Sequence, residues 1–384
     1  MVKKKQAYVA ELSTVFLRDI RHGWAASRLE LASRHKLAPS TVGIHIDRLI
    51  TSGHLSQDLF VSGNHRGRPI QRLSLRGEVG IFIGIEFEAR TMHAVCTDFS
   101  GKVLGREFVA IPSGADAAAV LALVDGVIAA LRDAHPAKLL GIGVGSPGVI
   151  DPDQGIARHY RFIKGWTDVP VVSHLQSKFA TPVVMETNVR ATALGIQLYE
   201  KSFETDDFVC FLIRSGVGAG SIRQSTLFRG HTYTAGEIGR VPYPGSEPVL
   251  TVEDLTSLPA ILRFVEENLY DFAHSDLHGS ELSSARLIAA AQKGDALARQ
   301  AIVRAIRHLG WACHIIALVD NPRTIVIAGP LAELGEWLRL ELQAALSEQA
   351  ARSNIQIPQV AVTTLGATVG ALGAASLAIE TWKL

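Results

Sequence analysis

Ser27-Arg28-Leu29-Glu30, then Pro39-Ser40-Thr41-Val42-Gly43-Ile44-His45-Ile46-Asp47-Arg48-Leu49-Ile50-Thr51, then Gly63-Asn64-His65-Arg66-Gly67-Arg68-Pro69 set the architecture of the N-terminal part. Ser27 and Glu30 form a capping box, whose hydroxyl and carboxylate satisfy the first N–H groups of a helix running to about His35. After the short turn at Lys36-Leu37, Pro39 fits the first position of a second helix, where its missing N–H costs nothing. From Val42 the apolar residues Ile46, Leu49 and Ile50 recur at helical spacing on one face. The opposite face carries Ser40, Ile44, Asp47 and Thr51, flanked by Thr41 and Arg48. Gly53 stops this helix, and Leu55 to Val61 and Ile70 to Leu75 read as two strands around the basic tip. A second helix with exposed short polar groups, followed by an arginine-tipped hairpin, suits the major groove and the adjacent phosphates or minor groove of DNA.

Charge separates this module from an ordinary helical hairpin. Residues 1–76 hold 13 Lys or Arg and 5 Asp or Glu, a balance of +8, whereas the whole chain is +1, so residues 77–384 carry the offsetting −7. Positive charge gathered in one place is what a polyphosphate partner requires.

With 384 residues the chain has room for two or three domains. Cys96, Cys210 and Cys313 lie far apart, which excludes a disulfide framework and a cysteine-rich zinc site and points to a reducing cytoplasm. The basic N-terminus lacks the apolar run of a signal peptide. Asn354 to Ile379 carries no formal charge, but Pro358 and its Gly and Thr content fit a strand, a glycine turn and a small-residue buried helix, so no membrane segment is expected.

Beyond Gly77 the chain alternates strands and helices. Val79 to Ile85, Thr91 to Asp98 and Val103 to Ile111 read as strands, Ala115 to Ala134 as a helix, and Leu139 to Gly145 as a buried strand. A strand near Thr181–Glu186 leads into a helix from Asn188 to Glu200. A second series starts with the strand Phe208 to Ile213, a glycine-rich turn at Gly216, Gly218 and Gly220, and a strand at Ser221 to Gln224. Helices follow to Leu318, then the apolar strand Thr324 to Ala328. Strand–strand–strand–helix–strand occurring twice predicts two similar α/β lobes, with a ligand pocket between them.

The ordered motifs Gly141-Ile142-Gly143-Val144-Gly145-Ser146-Pro147-Gly148, Gly165-Trp166-Thr167-Asp168-Val169-Pro170, Ser215-Gly216-Val217-Gly218-Ala219-Gly220, Ala235-Gly236-Glu237-Ile238-Gly239 and Gly370-Ala371-Leu372-Gly373 resemble the ROK family of repressors and sugar kinases. With the N-terminal module, the likeness spans essentially the whole chain. It implies an α/β fold: a winged helix-turn-helix (1–76) ahead of two actin-like, ribonuclease-H-like, sugar-kinase-like lobes. The first lobe is 77–200, completed by the C-terminal helix 369–384; the second, 201–368, is expected to bind the effector and dimerise.

Against this resemblance three departures stand out. The kinases place a catalytic aspartate directly after the asparagine at Asn188; here Val189 follows, which cannot accept a proton. Their Asp-x-Gly-Gly-Thr phosphate loop corresponds to Glu86-Phe87-Glu88-Ala89-Arg90, where Phe87 adds bulk and Glu88 a repelling charge. Of the glycine loops only Gly216 to Gly220 is kept, read as a tight turn required by the fold. Their zinc loop begins with a histidine and supplies three cysteines; here Arg240 stands in place of the histidine, and Val241 to Pro248 contains no thiol, so no metal is expected.

Three residues matching sugar-contacting positions are retained: Asn188, Glu237 and Glu253, an amide and two carboxylates suited to hydroxyls. Arg240 either pairs with one of these acids or receives a phosphate or carboxylate of the effector. The resulting expectation is a cytoplasmic, non-enzymatic DNA-binding transcriptional repressor of carbohydrate metabolism, without cofactor, acting as homodimer or tetramer. Its partners are double-stranded operator DNA and a sugar, polyol or sugar phosphate. Ser40, Thr41, Ile44 and Arg48 would meet base edges or phosphates, with Arg66 and Arg68 at the backbone or minor groove. The alternatives are a sugar kinase with a regulatory domain and a regulator indifferent to ligand.

Overall fold

The computed structural model describes residues 2–60, 70–245, 247–279, 281–351, 353 and 355–384. A long N-terminal helix, α1 (Val2–His22), precedes α2 (Arg28–His35), α3 (Pro39–Thr51) and the antiparallel strands β1 (Leu55–Phe60) and β2 (Ile70–Leu75). Ser27 caps α2 by accepting the Glu30 N–H at 3.3 Å, while Glu30 reaches back to the Ala26 N–H at 2.6 Å. Lys36 turns the chain with a left-handed φ of 52°, and Pro39 occupies the first turn of α3 as its fixed φ favours. The apolar stripe of α3 (Val42, Ile46, Leu49) is buried with Phe16, Leu17, Leu31, Leu55 and Leu73.

Packing divides the chain into two compact units, Met1–Glu186 with Ala374–Leu384, and Thr187–Gly373. In the first, the core of the N-terminal helices is continuous with Phe82, Phe99, Leu140 and Ile379. Arg21 donates to the Phe99 carbonyl at 3.0 Å with its guanidinium 5.2 Å from that ring, and His22 pairs with Glu380 at 2.9 Å. Trp382 meets Phe99 edge-on at 5.1 Å.

The sheet of this unit comprises β3 (Ile81–Phe87), β4 (Thr91–Asp98), β5 (Val103–Ala110), β6 (Leu139–Ser146) and β10 (Val183–Thr187), in the order β10-β6-β3-β4-β5. The helices α4 (Ala117–Ala134) and α5 (Val171–Phe179) accompany it, and β7 (Val149–Asp151), β8 (Ile156–His159) and β9 (Thr167–Val169) form a separate small sheet. Every residue of β3 is buried, as a central strand covered on both faces requires.

The second unit holds α6 (Asn188–Tyr199), β11 (Phe208–Ile213), β12 (Val217–Arg223), β13 (Thr226–Phe228), α7 (Val252–Thr256), α8 (Leu258–Asn268), α9 (Ser284–Lys293), α10 (Ala296–Val319), β14 (Thr324–Ala328), α11 (Gly335–Ala350) and β15 (Gln359–Val362). The last helix, α12 (Val369–Thr381), starts in this unit. Its sheet runs β13-β12-β11-β14-β15, the same order as β5-β4-β3-β6-β10, with the same directions across the first four strands. The predicted duplication of strand–strand–strand–helix–strand is thus present in both sheets. Helix α10 is long and apolar enough to cross a membrane by length and composition, but its Leu297, Ile302, Leu309 and Cys313 are buried in this unit's core.

One local expectation is corrected. Gly218 and Gly220 lie inside β12, not in a turn before it. A Cβ on Gly218 would sit 3.3 Å from the Val189 side chain, and one on Gly220 would sit 2.9 Å from the Val189 carbonyl. The strand needs glycine because α6 lies directly on it.

Candidate functional site

Strand β12 gathers the four residues singled out as ligand contacts, all within the second unit. Asn188 is the first residue of α6, buried, and followed by the Val189 that seats on Gly218. On the strand's other flank, the Ala219 N–H donates to the Gly236 carbonyl at 2.7 Å. Gly236 has φ +88°, and a Cβ there would fall 1.8 Å from the Ala219 carbonyl oxygen, so only glycine permits the approach. That turn delivers Glu237. At the strand's start, Glu253 Oε2 accepts the Val217 N–H at 3.0 Å. Glu253 sits in the first turn of α7, anchored by a reciprocal capping box between Thr251 and Asp254.

Arg240 pairs with Glu237, Nε to Oε2 at 2.7 Å. The side chains are 69% and 45% exposed, so the pair contributes little stability and chiefly neutralises charge. Between the two readings of Arg240, the geometry is that of pairing. The segment after it is closed by hydrogen bonds from Tyr243 N–H to the Leu250 carbonyl (2.7 Å) and from Val252 N–H to the Val241 carbonyl (3.0 Å). Tyr243 packs edge-on against His308 (4.8 Å) and against Trp311 (5.1 Å) of α10. Burial, then the nearby Arg304 and Arg307, lower the His308 pKa and favour the neutral ring. An arginine on a carboxylate with no thiol in Val241–Pro248 gives zinc no donor set; aromatic contacts hold this loop.

Arg190, to which sequence reasoning assigned no role, is buried and donates NH1 to the Tyr233 carbonyl at 2.7 Å. It thereby fixes the segment leading to Glu237. No local motif foretells this, because the partner is a backbone oxygen 43 residues away.

The stretch matched to the kinase phosphate loop, Glu86 to Arg90, joins the end of β3 to β4. Glu88 N–H donates to the Thr91 carbonyl at 2.9 Å, closing the β3–β4 connection as a tight turn. Phe87 does not fill that turn, contrary to the expectation that it adds bulk there. Its ring is buried against Trp166 at 5.2 Å, because strand alternation points it into the first unit's core.

On α3, Ser40, Ile44 and Arg48 are exposed and Thr41 is half-buried. An isoleucine 53% exposed on a polar helix face is what contact with a thymine methyl calls for. Arg66 and Arg68 lie outside the described residues.

The sequence model of the ROK family matches residues 82–381. The xylose repressor of Caldicellulosiruptor bescii is 26% identical over 377 residues, covering 95% of this chain and 94% of that protein. A ROK family transcriptional regulator described as a homolog of E. coli MLC superposes with a TM-score of 0.80 at 22% identity, over 97% of this chain and 96% of its own. A ROK family glucokinase from Streptomyces griseus, solved with glucose and AMPPNP, superposes with a TM-score of 0.71 at 22% identity, over 78% of this chain and 99% of its own.

Proposed function

The chain belongs to the ROK family, and we propose on that premise that it is a carbohydrate-responsive repressor of transcription without kinase activity. Residues 1–76 serve as the DNA-binding module, 77–200 with 369–384 as the first lobe, whose α6 supplies Asn188 to the effector, and 201–368 as the lobe for the other effector contacts and self-association. The protein works in the cytoplasm as a homodimer or tetramer, so that two copies of α3 meet the half-sites of a palindromic operator. Ser40, Thr41, Ile44 and Arg48 take the major groove, and Arg66 and Arg68 the backbone or minor groove. Asn188, Glu237 and Glu253 bind sugar hydroxyls. The salt bridge to Glu237 occupies the Arg240 charge and favours a neutral sugar or polyol over its phosphate.

The observation that carries this reading is Val189. Where the kinases hold a general base, this chain has an apolar side chain seated on Gly218. It cannot take a proton from a sugar hydroxyl, a contribution typically worth about 10²–10⁴-fold in rate. The full-length likeness to a xylose repressor supports the regulatory role. A thermal-shift screen of sugars, polyols and sugar phosphates would identify the effector, since a ligand of the native state raises the melting point. Operator binding, followed by fluorescence anisotropy, should then weaken steeply with salt and change when that sugar is added. Product formation from ATP and any sugar of the panel would overturn the proposal.

A further inference from the structure

Asp47 occupies the centre of the exposed stripe of α3, between Ile44 and Thr51, with its side chain 66% exposed. A bare carboxylate there would repel the phosphates that the rest of the module attracts. It is not bare: Arg28, at the first position of α2, donates NH2 to Asp47 Oδ1 at 2.7 Å. The same guanidinium donates Nε and NH2 to Gln57 Oε1 on β1, at 3.3 and 2.8 Å. A Cβ at Gly43, one turn before Asp47, would lie 3.8 Å from Arg28 NH1, so α3 has no side chain there to push the guanidinium away. Three elements thus hold one carboxylate in place with its charge balanced.

We infer that Asp47, held by Arg28, reads a cytosine in the major groove of the operator, an inference that rests on the DNA-binding role proposed above. A carboxylate has about four acceptor sites and no donor. Arg28 uses one oxygen, and the group remains an acceptor toward solvent. In the major groove cytosine presents its N4 amino group as a donor, whereas adenine sets an N7 acceptor beside its N6 donor and guanine offers acceptors alone. An acceptor-only group therefore selects cytosine. Arg28 is the positioning residue: it cancels the repulsion and fixes the direction of the carboxylate.

The test is selection of duplexes from a random-sequence pool by the full-length protein, followed by affinity measurements on the selected sequence and its single-position variants. The native protein should require a C·G pair at one position of each half-site, by about 5- to 150-fold over the other pairs. Asp47→Asn, which offers a donor beside an acceptor, should move that preference to A·T and leave all other positions unchanged. Asp47→Ala should erase it at that position only. Arg28→Ala should weaken binding to every sequence. Unchanged preferences in both Asp47 variants, with affinity falling uniformly, would overturn the inference and leave the pair as a tie between α2 and α3. A native protein that selects no sequence at all would instead remove the DNA-binding role and this inference with it.

Discussion

Replacing Gly373 by alanine probes how closely α12 lies on α6. A Cβ built there falls 1.6 Å from the Ala191 carbonyl oxygen and 2.7 Å from the Gly195 nitrogen, both backbone atoms that no rotamer change can move. One turn earlier the converse contact holds, since a Cβ on Gly195 would lie 2.3 Å from the Val369 carbonyl oxygen. Restoring ordinary contact at about 3.5 Å requires the helices to part by roughly 2 Å, which also loosens their small-residue seam. Overpacking typically costs about 1–3 kcal/mol, and the backbone obstruction puts this site at the upper end or beyond. Alanine returns about 1 kcal/mol of helix propensity. The net loss should be about 2 kcal/mol, or roughly 4–8 °C in Tm for a unit of this size. Scanning calorimetry on the full chain measures it. Gly126→Ala is the matched control, because that helical position is exposed and a Cβ there meets nothing within 4 Å; it should stabilise by about 0.5–1 kcal/mol. A Gly373→Ala protein melting at or above the native temperature would refute the close-packing argument.

Glu200 accepts hydrogen bonds from Thr363, Thr364, Ser202 and the Lys201 N–H; burial pushes its carboxyl pKa up, but those bonds, led by the Thr364 N–H, hold it below the usual range. A lowered pKa means stability that is complete above the unfolded carboxyl's pKa and lost as pH falls through the folded one, so Glu200→Gln should cost about 2 kcal/mol at pH 7 and progressively less in urea titrations below about pH 4.5. Tyr243→Ala removes two aromatic contacts worth about 0.5–1.5 kcal/mol each, and exchange of the amide at position 243 and of the Val252 amide should accelerate roughly 5- to 100-fold. Cys96 is raised to about 11 by burial and by Asp98, and burial raises Cys210 and Cys313 further, so a thiol reagent at pH 8 should label the unfolded chain and spare the native one.

How much was legible in the sequence depended on whether the signal was local. Ser27, Glu30 and Pro39 announce α2 and α3 because caps and first-turn prolines act within four residues. The uncharged stretch from Asn354 resolves into β15 and α12 as read, because proline and small residues forbid one long apolar span. Helix α1 went unread: its sequence offers no side-chain cap signal, and its buried Phe16 and Leu17 join a core drawn from α2, α3, β1, β2 and the distant Phe99 and Ile379. The glycines of β12 mimic a turn because the reason for them, the backbone of Val189, lies 31 residues from Gly220 in sequence. Strands β7 to β9, three or four residues each, are too short for any periodicity to show. For the candidate ligand residues, the motifs singled out each one but not their placement around one strand, and the grip of Arg190 on the Tyr233 carbonyl had no sequence trace.

The hydrophobic interior shared by α1, α3, Phe99 and the end of α12 has a temporal consequence. Ala378, Ile379 and Trp382 are translated long after α1 and α3, so those helices cannot complete their interior until α12 has emerged. A nascent or prematurely terminated polypeptide would carry all of α3 and yet lack the support that fixes it. The packing that fixes α3 is thereby complete only in a molecule that already contains α12.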